Sequence, residues 1–439
     1  MTLVRFVRRP LAEILSGYDS QNNHLLYSIL ARLSVVGFGE SAAALRLPAV
    51  IFGIVSIPLA WWFASRVAGR HEALLVALLL AVSYHHVWFS QNARGYTILL
   101  SGTLAASVLF LRMLEPGAGR RTIAAYAVVT ALTLYTHVTA VFVAAAHALV
   151  WLWLAWRKPE ARAWQVPAAV GAAAVLTLLL YAPVLGDFIA TLTRPTLPGA
   201  QVEWKSPLWL IAETARGLAR GVPGGWAALA AALIVAGMGA WSLWRRAPVA
   251  LAIMVLPVAL TAAAAVATSH NLWPRLFFFA AGFAVLIAVR GGFALLEKLV
   301  PSRAGLIGTA GAIAVAAGSL ATVPRAWQPK QDFGGAFDWL VATRQEGDVI
   351  ATVDLTRFPF ESWLAAPWPN VDHDSTLTSL ERRGGRVRIP VTFTTRLAAT
   401  QPAVWERLQR DYVRARTFPG TVGGGAIVIM ERTPRAGTQ

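Results

Sequence analysis

The sequence predicts a polytopic α-helical membrane protein of about ten spanning helices, with a small α/β domain at its C-terminal end. Three observations carry this. Of 439 residues, 56% are hydrophobic and 14% charged, where soluble chains carry about 25% charged residues. The apolar residues gather in runs near the length that crosses about 30 Å of hydrocarbon. Such runs stop after residue 323, and the rest of the chain is rich in charge, with 12 acids and 15 bases. The apolar content excludes a disordered chain, and the absence of Cys excludes a disulfide-stapled module.

Spanning helices are expected at 47–65, 73–90, 97–114, 123–139, 140–156, 166–185, 226–244, 249–268, 276–296 and 304–323. The turn between the fourth and fifth is only Tyr135-Thr136-His137-Val138-Thr139. Alternate loops are basic. One set holds Arg66 and Arg70, then Arg112, Arg120 and Arg121, then Arg157, Lys158 and Arg162, then Arg245 and Arg246, then Lys298 and Arg303. The opposite loops hold little beyond Arg94 and Arg275. Positive charge marks the cytoplasmic side. Segment 1–46, loop 186–225 and the tail 324–439 are therefore expected outside the cytoplasmic membrane. The formal charge of +17 then fits anionic lipid and needs no nucleic acid. Trp61, Trp62, Trp88, Trp156, Trp226 and Trp273 lie near helix ends, as an interfacial belt would.

Three regions follow. Residues 1–46 read as an extracytoplasmic loop, with a helix at Leu25–Val36 whose Leu26, Ile29, Leu30 and Leu33 suit the membrane interface. Residues 47–323 are the transmembrane domain. Residues 324–439 are the extracytoplasmic α/β domain. There, helices are expected at 334–345 and 402–412, and strands at 348–353, 413–418 and 425–431, the β-rich runs being bounded by Gly.

The polar residues cluster on the outer side. Tyr18-Asp19-Ser20-Gln21-Asn22-Asn23-His24 precedes the interfacial helix; it offers a carboxylate and an imidazole, or simply the helix cap that Asp, Ser and Asn provide. The stretch Ser83 to Tyr96 holds His85, His86, Gln91, Arg94 and two Tyr, which is dense for a membrane segment. Adjacent His85 and His86 point about 100° apart on a helix and do not suit one metal. Arg94 could bind a phosphate bidentately or anchor the interface. His137 and the group His270, Asn271, Trp273, Pro274 and Arg275 lie at outer helix ends. Arg275 breaks the charge bias, as an anion-binding or a snorkelling Arg would. No phosphate-binding Walker loop or dinucleotide glycine fingerprint is present. A basic and polar cleft at this depth suits a lipid-linked phosphate.

These residues resemble the bacterial family 39 glycosyltransferases of the C-type membrane fold, which are similar to protein O-mannosyltransferases and to the lipid A aminoarabinose transferase. The matching segments are Asn23-His24-Leu25-Leu26-Tyr27, Phe38-Gly39-Glu40-Ser41 leading to Leu45-Arg46-Leu47-Pro48, Ser90-Gln91-Asn92-Ala93-Arg94-Gly95-Tyr96, Tyr135-Thr136-His137, Pro274-Arg275-Leu276, and in the tail Lys330-Gln331-Asp332 with Gly347-Asp348-Val349. The resemblance spans about residues 10–345. It implies transfer of a sugar from a polyprenyl-phosphate donor to an acceptor (lipid, glycan or protein) outside the membrane. It also implies a carboxylate in the first external loop, basic residues on the donor phosphate and, in some members, a divalent metal. By position, Arg94 and Arg275 are the phosphate candidates, and His24, Tyr96 and His137 line the cleft.

Two departures bear on activity. The family places one more spanning helix and an Asp-Glu pair before the point where this chain starts, and entry of residue 47 from outside also asks for a preceding helix. A chain shortened at its N-terminus is therefore expected. Asn23 stands where the family often has an acid, and two Leu replace its prolines, which leaves Asp19 as the catalytic candidate. Two other readings remain: a transporter of lipid-linked saccharide, and a non-catalytic homologue lacking its carboxylate. Transporters usually carry repeats and midplane helix breaks; neither is visible here.

Overall fold

The computed structural model describes residues 2–157, 164–193, 203–383 and 385–433. Lys158 and Arg162, counted above among the cytoplasmic bases, lie outside the described residues, as does part of the 186–225 loop. The chain forms two compact units. One comprises Thr2–Arg194 and Lys205–Ala326, and the other is chiefly Trp327–Gln439, with the segment ending at Trp204.

The first unit is helical. Its elements are α1 (Leu11–Ser16), α2 (Leu25–Phe38), α3 (Ala42–Val67), α4 (Arg70–Ala81), α5 (Tyr84–Ser90), α6 (Tyr96–Met113), α7 (Arg120–Thr136), α8 (Ala140–Arg157), α9 (Gln165–Tyr181), α10 (Leu185–Thr193), α11 (Pro207–Gly221), α12 (Gly225–Arg246), α13 (Pro248–Ala267), α14 (Ala281–Leu299) and α15 (Ala304–Thr322). All ten expected segments are helical. Among the described residues eight helices are long and apolar enough to span a bilayer, or nine if α4 and α5 count as one. The remaining segment, α7, has 17 residues, the lower end of spanning length.

The expected single helix at 73–90 is instead broken, with α4 and α5 bent 59° apart. Ser83 causes the break by capping α5, its Oγ accepting the His86 N–H. The new direction gives both imidazoles partners: His86 Nε2 lies 2.8 Å from Ser56 Oγ and His85 Nε2 2.9 Å from the Gly217 carbonyl. Helix α2 forms where expected, but its faces differ from the expected stripe. Leu25, Tyr27, Ser28, Ala31, Ser34 and Val35 are buried, while Leu33, Val36 and Phe38 are exposed. Tyr27, Ala31 and Val35 pack into an apolar cluster that Leu26 and Leu30 flank, so the apolar residues are shared between an inner and an outer face.

Close backbone approach fixes the bundle. A Cβ at Gly239 of α12 would lie 1.8 Å from the Ile287 carbonyl, and one at Gly291 of α14 would lie 1.8 Å from the Val235 carbonyl. Small residues at such crossings let dispersion act between helices where no hydrophobic drive exists. Below this crossing Arg290 is paired with Glu72 and Glu297, and Arg246 also reaches Glu297 at 3.0 Å.

The second unit is α/β. Its elements are α16 (Phe333–Ala342), β1 (Val349–Ile350), β2 (Thr352–Val353), α17 (Arg357–Ser362), β3 (Asn370–Val371), α18 (Asp374–Glu381), β4 (Val387–Val391), α19 (Thr394–Thr400), α20 (Pro402–Asp411), β5 (Val413–Phe418) and β6 (Ile427–Arg432). One sheet runs β1-β4-β6-β5, with β1 parallel to β4 and the other pairs antiparallel; β2 and β3 form a parallel pair. The single strand expected at 348–353 is two. Ala351 N–H still bonds to Arg388 O, but Thr352 N–H turns to Pro369 O. The sequence reading missed β4 because Arg388 and Pro390 interrupt it. Arg388 is buried with its Nε on Glu431 at 2.7 Å and its Nη1 on Thr343 Oγ1 at 2.8 Å. Pro390 lies beyond the end of β1, whose last pair is Ile350 with Arg388, so on that side no partner asks for its missing N–H.

Candidate functional site

Helix ends in the first unit supply the site. His24 is the N-cap of α2, Gly95 the N-cap of α6, and His137 the C-cap of α7. Arg94 precedes Gly95, and Arg275 lies in the 3-10 turn Pro274–Ala280 that leads into α14. Helix N-termini favour negative charge, and two of them open here beside two guanidinium groups.

The rings meet closely. His24 lies edge-on to His137 with centroids 4.8 Å apart, and edge-on to Tyr96 at 5.1 Å; Tyr96 and His137 are 5.8 Å apart. Gly95 permits this. A Cβ there would stand 2.3 Å from Thr136 Cγ2 and 3.1 Å from His24 Nδ1. In its absence the Gly95 N–H donates to His24 Nδ1 at 3.0 Å. The Thr139 N–H likewise donates to His137 Nδ1 at 3.2 Å.

The charges are uncompensated. Arg94 donates to Asn22 Oδ1 at 2.7 Å, and Arg275 stacks on Trp273, 4.7 Å from its ring centroid. Among the described residues no carboxylate lies within ion-pair distance of either. Both guanidinium groups act on both imidazoles. Burial, then His137, Arg94 and Arg275, hold His24 well below its ordinary range. Burial, then Arg275 and Arg94, push His137 down to about 4. These rings lie at helix ends outside the spanning segments and are neutral near pH 7.

The structure thus brings Arg94, Arg275, His24, Tyr96 and His137 together. Arg9 donates to Asp19 Oδ2 at 2.8 Å. Its loop is tied to α10 by Tyr18 N–H on Asp187 Oδ2 and by Thr191 Oγ1 on Tyr18 O. Sequence reasoning assigned no role to Asn22, Gly95 or Asp187. Asn22 and Gly95 stood inside the polar runs already singled out; nothing local marks Asp187, which reaches Tyr18 across the fold. Among the described residues no group of three or more His, Asp or Glu side chains could hold a metal ion.

Fold and site together define a polytopic membrane protein of the C-type glycosyltransferase fold. The chain superposes on the crystal structure of ArnT from Cupriavidus metallidurans in the apo state with a TM-score of 0.55 at 13% identity, covering 100% of this chain and 93% of that one. It is similar also to the archaeal oligosaccharyltransferase AglB from Archaeoglobus fulgidus, solved with an inhibitory peptide and a dolichol-phosphate, with a TM-score of 0.53 at 11% identity over 99% of this chain and 70% of that one. Residues 24–186 match the family of dolichyl-phosphate-mannose-protein mannosyltransferases. That span starts at His24 and contains Arg94, Tyr96 and His137. No curated protein sequence matches the chain.

Proposed function

We propose that the chain transfers a sugar from a polyprenyl-phosphate donor to an acceptor on the extracytoplasmic face of the cytoplasmic membrane. The observation that carries this is the pair Arg94 and Arg275, two cations with no carboxylate partner among the described residues, set among neutral rings at helix ends. A phosphate leaving group gains negative charge as the glycosidic bond breaks, and donors already in place stabilise that charge without reorganising. Arg94 and Arg275 hold the phosphate; His24, Tyr96 and His137 shape the cleft around it. Asp19 is the carboxylate proposed to orient the acceptor and take its proton, with Arg9 keeping it placed. The basic loops, read as cytoplasmic, support an extracytoplasmic site at the opposite helix ends.

The test is release of polyprenyl phosphate from a labelled polyprenyl-phosphate sugar in proteoliposomes. Release that depends on the chain and falls in Arg94→Ala supports the proposal. Movement of intact labelled lipid between leaflets, with no release, favours transport instead. Asp19→Asn should abolish release; unchanged turnover removes Asp19 from the mechanism.

A further inference from the structure

We infer that His24 and His137 present their Nε2–H groups as a fixed pair of donors to the donor's phosphate, and that no divalent cation enters this cluster. The inference rests on the polyprenyl-phosphate reading above and names how that phosphate is held.

A neutral imidazole has one donor and one acceptor nitrogen. In both rings the acceptor is assigned by the backbone: Gly95 N–H points at His24 Nδ1, and Thr139 N–H at His137 Nδ1. An amide N–H cannot accept, so moving the proton to Nδ1 would set two N–H groups head to head. The proton therefore stays on Nε2 in each ring. Among the described residues neither Nε2 has a hydrogen-bond partner, and neither belongs to the sealed, unsatisfied atoms of the interior. Two reachable N–H donors on nearly perpendicular rings 4.8 Å apart are left for a ligand.

Position is enforced as well as tautomer. Gly95 lets its own amide reach His24, since any side chain there meets Thr136 first. His137 is anchored by its own backbone, whose N–H bonds to Thr133 O at 2.9 Å. The ligand these donors suit is an acceptor-only oxyanion, and Arg94 and Arg275 add positive charge to the same space.

A divalent metal, which the family resemblance allows, does not fit these residues. Metal ligation needs the Nε2 lone pair, which the proton occupies. Freeing it costs the amide bond at Nδ1 or creates an imidazolate. Among the described residues no group of three or more His, Asp or Glu side chains could hold a metal ion, and a dication here would stand against two guanidinium groups.

The experiment measures binding of undecaprenyl phosphate to the purified full chain in detergent, in EDTA and in added Mg²⁺ or Mn²⁺. His24→Asn and His137→Asn are the informative variants. The Asn Oδ1 takes the place of Nδ1 and keeps the backbone amide satisfied, while the Nε2 donor is gone. We expect equal affinity in EDTA and in metal, and about tenfold weaker binding in each Asn variant at an unchanged unfolding temperature. His24→Gln and His137→Gln, which restore an N–H near Nε2, should recover most of it. Inorganic phosphate competing only at far higher concentration identifies the lipid as the source of the anion; equal competition keeps the donor pair and assigns it free phosphate. Binding that EDTA removes and metal restores overturns the inference and leaves the transferase reading standing. Asn variants that bind like the wild type also overturn it. A chain that binds no lipid phosphate in any condition overturns both.

Discussion

Two clusters of charge in the helical unit differ in what accompanies the arginines. At one, Arg290 has Glu72 and Glu297, and Arg246 shares Glu297. At the other, Arg94 and Arg275 have Asn22, Trp273 and neutral imidazoles, and no ion-paired acid among the described residues. Both lie on or beside α14, one before its start and one near its end. A charge taken from water is costly unless paired. A site that leaves cations unpaired accepts that cost for a ligand that brings the counter-charge. The paired cluster carries its own counter-ions, so its role is to join α4, α12 and α14.

The largest expected effect breaks the paired cluster. Arg290 is 5% exposed at its side chain, and Arg290→Ala leaves Glu72 buried without its partner. Removing one member of a buried pair costs about 3–5 kcal/mol. Chemical unfolding in detergent should show that loss, while donor turnover per folded molecule stays near the wild-type value. A stable Arg290→Ala protein with poor turnover would reverse the roles assigned to the two clusters.

The open cluster should respond the other way. Arg94→Ala or Arg275→Ala removes a charge-assisted contact worth about 1.5–3 kcal/mol, or roughly 10- to 100-fold in donor turnover. Stability should hold or rise, because repulsion between the two guanidinium groups is relieved. A fall in unfolding temperature with full turnover would mean that these arginines serve packing.

The third expectation concerns pH. His137 falls from an ordinary value near 6.5 to about 4, through burial first and then Arg275 and Arg94. As pH falls below about 6.5 the unfolded chain takes up this proton while the folded chain stays neutral. The stability that this group carries is thus complete above about 6.5. It declines by about 1.4 kcal/mol per pH unit until about 4, where the folded ring also charges. Unfolding measured from pH 4 to 7 should be shallower in His137→Asn by the slope of one proton. Identical slopes would show that the folded ring takes up protons as freely as an exposed one.

Legibility in the sequence followed distance along the chain. The ten apolar segments were readable because a bilayer demands a long uniform run, and all ten are helices. The α4–α5 break was not, although Ser83 was in view, because it depends on Ser56 and Gly217 offering partners to His86 and His85. Strand β4 stayed hidden because Arg388 reads as surface until Glu431 and Thr343 fold over it. At the site, Arg94, His24 and His137 were visible as costly polar residues at helix ends. The tautomer of His24 and the bond to Asn22 arise only when segments some seventy residues apart meet, whereas Thr139 sets the tautomer of His137 from two residues away. Asp19 sits in an equally polar run, and its pairing with Arg9 joins residues ten apart in a way that composition does not show.

The smallest effect tests whether pairing alone marks a structural charge. Arg8 and Glu40 form a two-point pair, with Nε on Oε2 at 3.0 Å and Nη2 on Oε1 at 2.6 Å. Its geometry is as good as that of the Arg290 cluster, but both side chains are more than two-fifths exposed. Water and salt screen such a pair, and it is expected to contribute less than about 1 kcal/mol. Arg8→Ala should therefore shift unfolding little, and 0.5 M salt, whose Debye length is about 4 Å against about 30 Å in 0.01 M buffer, should erase the difference. Glu40 belongs to the Phe38-Gly39-Glu40-Ser41 segment on which part of the family resemblance rests, so the variant has a second readout. Lost turnover at unchanged stability would make Glu40 a carboxylate that Arg8 positions for the site. Full turnover would leave burial, and not pairing, as what separates the charges that build this fold from the charges that wait for a ligand.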